Sequence, residues 1–135
     1  MRPEALADAR KWLSYADEDL ASCRVLLHSP RALLGTASYH AQQAAEKALK
    51  AFLVAHDEPL IRTHDIGVLV ARCESIDDSF APLSAVAARL TPYAVMHRYP
   101  GASDYPEIAD VEQALADASA ILEFVRTKLV ANHNG

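Results

Sequence analysis

Cysteine is nearly absent from these 135 residues: Cys23 and Cys73 are the whole supply, and no Cys-x-x-Cys pair exists. A thiolate zinc site is therefore excluded. Each cysteine sits among apolar neighbours at helical spacing, which reads as a buried free thiol rather than half of a disulfide. Glycine is scarce, with four residues, and aromatic side chains make up only 7%. Val and Ile are few beside Ala and Leu, a balance that disfavours sheet and favours helix. No window approaches the roughly 20 apolar residues of a membrane span. The opening MRPEALADAR has no apolar run of the kind a secretory leader carries, so the expectation is a cytoplasmic chain. A glycine-rich phosphate loop and a His-Glu-x-x-His pair are both missing. Excess positive charge is missing too. The net charge of −5 argues against a broad nucleic-acid footprint and leaves room only for a local basic patch.

What is present is helical periodicity. Ala9, Leu13, Ala16, Leu20, Cys23 and Leu27 recur at steps of four and three, one face of a helix over about Glu4–Leu27 that Trp12, Tyr15 and Leu26 widen and Ser29-Pro30 ends. Asp17, Glu18 and Asp19 cluster on what the pattern makes an exposed face. A second, Ala-rich pattern covers about Arg31–Ala55. A short third helix begins near Thr63, a plausible N-cap, and carries Ile66, Leu69, Val70 and Cys73. A fourth pattern runs from about Asp78 to His97. Pro82 suits its first turn, whereas Pro92 must kink or interrupt it. A Pro- and Gly-bearing loop follows at 98–106. The last pattern, about Glu107–Val130, repeats Ile108, Val111, Leu115, Ala118, Leu122, Val125 and Leu129, ahead of a frayed tail. The prediction is a single all-α domain over residues 1–135: an up-and-down antiparallel helical bundle of four long helices and one short one.

The second helix carries the chemistry. At 100° per residue, His40, Gln43, Glu46, Lys47 and Lys50 fall within about 120° of one another. Ala41, Ala45, Ala48, Leu49 and Phe52 back them. One helix thus offers imidazole, amide, carboxylate and two ammoniums in a column, a set able to hold phosphate. The competing reading is a solvated face knitted by i,i+4 pairs, Gln43–Lys47 and Glu46–Lys50. Gln42 points into the apolar half, where a buried amide needs partners; an interhelical or subunit-interface hydrogen bond is expected there. The unbroken last stripe and the Ala-rich second helix also suggest more apolar face than one chain can bury.

The string His40-Ala-Gln-Gln-Ala-Ala-Glu-Lys-Ala-Leu-Lys50 resembles the helix-two signature of HEPN domains, the helical domains named after higher eukaryotes and prokaryotes nucleotide-binding. Trp12 with Ala16, Asp19 and Leu20 is similar to the family's first helix. Thr63-His64 is similar to its step before helix three, and Tyr93 with Arg98-Tyr99-Pro100 to the segment after helix four. The resemblance implies a helical bundle that pairs as a homodimer. It also implies a small nucleotidyltransferase partner, often in a toxin–antitoxin pair, and nucleotide or RNA as ligand, with no cofactor or metal. Carried onto this sequence, a phosphate-binding pocket would comprise His40, Gln43, Lys47, Lys50, His64, Arg98 and Tyr99, with Tyr93 or Tyr99 stacking a base.

Some relatives are metal-independent RNA endonucleases, whose motif is Arg, four to six residues, then His. None of the nine arginines meets that spacing within residues 1–130. Arg98 has Ser103, Asp104 and Tyr105 at the permitted positions, Arg89 reaches His97 one residue too far, and Arg24 reaches His28 one too near. Arg126 with His133 fits, but nine Arg and six His produce about one such match by chance. Whether the chain is an enzyme stays open. The alternatives are a ribonuclease toxin with an unusual site, His97 and Arg98 being the candidate catalytic residues, and a helical interaction module without ligand.

Overall fold

Four alanines decide the architecture. Ala41, Ala44, Ala45 and Ala48 are all fully buried, so helix α2 (Leu34–Ala55) meets its neighbours almost at the backbone. A computed structural model describes the backbone of residues 1–96 and 105–134 and the side chains of 1–95 and 105–130. In it α2 lies at the centre, against α1 (Pro3–His28) on one side and α6 (Ile108–Asn134) on another. Asp19 of α1 meets His40 and Lys47, while Leu26 meets Leu33, so α1 and α2 run antiparallel. The predicted three-and-four repeat of α1 from Ala9 to Leu27 is buried throughout. So are Val111, Ala118, Leu122, Val125 and Leu129 of α6. No strand occurs among the described residues, and no helix there is long and apolar enough to cross a membrane.

Three aromatic rings join the layers. Phe52 of α2 packs on Phe80 at a centroid distance of 4.5 Å, and Phe80 on Phe124 of α6 at 4.9 Å. Phe80 lies in a 3-10 helix, Asp78–Leu83. Both cysteines are free and buried, and burial pushes the Cys23 thiol up to about 11 and the Cys73 thiol up to about 12.

The structure departs from the sequence reading at three places. The fourth pattern is not one long helix. It breaks into the 3-10 turn, α4 (Ser84–Leu90) and α5 (Tyr93–Met96), because Pro82 and Pro92 each withhold a backbone N–H. Thr63 does not cap α3 (Ile66–Glu74): Asp65 does, accepting from the Val68 amide at 3.3 Å, while Thr63 Oγ1 accepts from the Asp65 amide. The last helix continues to Asn134 rather than ending at Val130. Most of the apolar stripes are spent on the core of a single chain, but Tyr15 of α1 and Ile108 of α6, both counted in those stripes, are exposed, as is Val130.

Two local details hold the ends of α2. Gly35 donates its amide to the Tyr105 hydroxyl at 3.0 Å, and a Cβ at this position would sit 2.9 Å from the tyrosine ring. At the other end His56 closes the helix with its backbone N–H and stacks on Phe52, centroids 4.4 Å apart. Its Nε2 is buried without a hydrogen-bond partner. Burial first, and then the nearby N-terminal ammonium, hold the imidazole below its ordinary range against the opposing pull of Asp77, Glu58 and Asp57. The folded state thus prefers neutral His56, and between the lowered value and the ordinary one the unfolded chain binds more protons. This contribution to stability is complete above the ordinary imidazole pKa and is lost as pH falls. Urea midpoints should therefore drop between about pH 7 and pH 5, and drop less in His56→Phe. Equal declines in the two proteins would contradict the assignment.

Candidate functional site

The polar column on α2 is real, but half of it lies inside the protein. Asp19 of α1, 7% exposed, accepts from His40 Nδ1 at 2.8 Å and from Lys47 Nζ at 2.6 Å. Glu46, 5% exposed, accepts from Lys50 Nζ at 3.0 Å and from His64 Nδ1 at 2.7 Å. Two carboxylates thus each hold one imidazole and one ammonium. Gln42, fully buried, donates to the His64 carbonyl at 2.9 Å, and Gln43 donates to Gln42 Oε1 at 2.8 Å. The partners expected for Gln42 are found within one chain, across the α2–α3 junction.

The helix wheel explains why. Gln42 and Glu46 face the segment leading into α3, His40 and Lys47 face α1, and Gln43 and Lys50 lie between. A carboxylate removed from water must be paired or protonated. Here each is paired twice.

Asp19 corrects the sequence reading. It is not part of an exposed acidic face with Asp17 and Glu18, both of which are exposed. It stands three residues after Ala16 and four before Cys23, at the edge of the buried stripe, and the antiparallel register sets it opposite His40 and Lys47. That spacing was the available signal. Of the surface pairs weighed, Glu46–Lys50 forms but is buried, while Gln43 binds Gln42 and Lys47 binds Asp19.

The consequence is electrostatic. Asp19, Glu46, Lys47 and Lys50 carry two negative and two positive charges, so these four cancel. A carboxylate only accepts, so each Nδ1 carries the hydrogen in that contact and Nε2 is left for another partner. The His40 and Lys47 side chains are 29% and 27% exposed and His64 is 64% exposed, whereas Lys50 is sealed at 9%. His40, Gln43, Lys47, Lys50 and His64 therefore do come together. His97, Arg98 and Tyr99 lie outside the described residues, as does the His133 side chain. Arg126 is held by Asp17 and Glu123, both at 2.7 Å. Tyr93 lines a different concavity, with Arg89, Asp110 and Asp117, where burial raises its phenol above the ordinary value. Among the described residues no group of three His, Cys, Asp or Glu could hold a metal.

The comparisons agree with this architecture. The family model described as HEPN domain matches residues 9–128. The chain belongs to the HEPN family. Its fold is similar to that of TT1696 from Thermus thermophilus, with a TM-score of 0.77 and 32% identity over 89% of this chain and 97% of the other. ST0689, an archaeal HEPN homologue, matches with a TM-score of 0.72 and 24% identity over 90% of this chain and 97% of that one, a likeness of fold alone. No curated protein matches the chain.

In this HEPN domain the Glu46–Lys50 pair has both side chains under 10% exposed. Removing one partner strands the other charge, so Glu46→Gln should cost about 3–5 kcal/mol in urea unfolding. Glu46→Met/Lys50→Met should recover most of that loss. A single-variant cost below about 1 kcal/mol would show the pair to be solvated, since exposed pairs are worth no more.

Proposed function

We propose that this HEPN domain binds nucleotide or RNA through phosphate, works as a homodimer, and acts with a small nucleotidyltransferase partner in the manner of a toxin–antitoxin pair. One observation carries the ligand reading. His40, Lys47 and His64 come together over an ionic network, largely buried, that an apolar core could replace at little cost. Burying Asp19, Glu46 and Lys50 to hold two imidazoles serves a site better than it serves stability. Lys47 keeps two hydrogens beyond the one given to Asp19, and an imidazolium at His40 or His64 adds the net positive charge the column otherwise lacks. Arg98 and Tyr99 complete the proposed set. The homodimer and the partner rest on family membership.

A second reading, metal-independent RNA cleavage, is favoured by the same oriented imidazoles. One Nε2 could accept the proton of a 2′-hydroxyl as that oxygen attacks phosphorus, and a protonated imidazole could return a proton to the leaving 5′-oxygen. His40 and His64 join His97 and Arg98 as candidates for those roles.

ATP or GTP at a hundredfold excess over Kd should stabilise the protein by about 2.7 kcal/mol, visible as a rise in Tm, and Lys47→Ala should abolish the rise. No shift at saturation refutes the ligand reading. For the second reading, RNA should be degraded in EDTA and spared by His40→Ala or His64→Ala. Intact RNA after prolonged incubation rejects it. A monomer by light scattering at micromolar concentration refutes the homodimer.

A further inference from the structure

The polar column does not stand alone on its face. Seven residues before Asp19 on α1 is Trp12, and seven residues after Lys47 on α2 is Val54. Because the helices are antiparallel, these two steps run in the same direction. Seven residues are two helical turns, about 10 Å along the axis. At that place Trp12, Tyr15, Val54 and Leu60 line an apolar concavity of about 350 Å³, with Asp8 and Lys11 on its rim. Tyr15 is 58% exposed and Leu60 52%, while Trp12 is half-buried against the core. An anchored, half-buried tryptophan and an exposed tyrosine thus stand two turns from the partly exposed Lys47 ammonium.

We infer that this Trp12–Tyr15 concavity is the base-binding subsite for the nucleotide whose phosphates lie at Lys47 and His40. The inference rests on the phosphate reading above and adds the part of the ligand that the column cannot hold. The chemistry is complementary. A nucleobase is flat and poorly hydrated on its faces, and it stacks on Trp or Tyr irrespective of its edge groups. Val54 and Leu60 supply apolar walls that complete the enclosure. The separation matches a nucleoside di- or triphosphate laid along the α1–α2 joint, base at one end and phosphates at the other. The four fixed charges of the column cancel, so phosphate alone is weakly held, and stacking supplies the remaining affinity. The subsite should therefore tolerate adenine and guanine alike and reject a phosphate chain that has no base.

Trp12 is the only tryptophan in the chain, so its emission reports on this concavity directly. ATP and GTP should change Trp12 emission, whereas inorganic tripolyphosphate, which offers the same phosphates, should not. Tyr15→Ala, at an exposed position that folding does not need, should weaken ATP binding about tenfold and leave tripolyphosphate binding unaltered. If ATP raises Tm while Trp12 emission and the Tyr15→Ala affinity stay unchanged, the subsite is overturned and the phosphate reading survives. Equal emission changes with ATP and tripolyphosphate also overturn it. If neither compound raises Tm, both readings fall together.

Discussion

The joint between α1 and α2 depends on one buried carboxylate. Asp19 is withdrawn from solvent and must be matched where it lies, and only His40 and Lys47 of α2 reach it. That requirement sets which residues of the two helices face each other, more sharply than alanine packing, which tolerates sliding. From this contact follow the antiparallel register, the outward aim of the His40 ring, and the alignment of Trp12 with Val54 farther along.

Glu46 repeats the arrangement one helix over. It gathers Lys50 and His64, and Gln42 and Gln43 add amide hydrogen bonds on the same side. Charge cancels within the network, so what reaches the surface is orientation rather than field. Each of the two imidazoles is oriented by its carboxylate, His40 by Asp19 and His64 by Glu46. A HEPN domain built this way need not be basic overall to meet a phosphate, which reconciles its net charge of −5 with a nucleotide-binding reading.

Much of this was legible before any coordinates. Heptad-like stripes in α1 and α6 named the core almost residue by residue, because a long amphipathic helix has one way to bury its apolar face. Pro92 announced its interruption. The string His40–Lys50 announced both the family and a polar column. Asp19 was harder to read. Its neighbours Asp17 and Glu18 are solvated, and the charge run hid the one member at the stripe's edge. The Thr63 cap failed for a related reason: Thr63 and Asp65 both have N-cap chemistry, and the backbone path chose the second.

By itself the sequence determined that the chain is all helix, where the long helices lie, which faces they bury and which family they belong to. Those properties are local, set by periodicity and composition within single segments. Tertiary structure alone decided that Lys50 and Glu46 are sealed, that Asp19 pairs with His40 and Lys47, and that the aromatic concavity stands two turns from Lys47. Each of these depends on which residues of separate helices meet, and a pairing across space leaves no trace in the spacing along one helix.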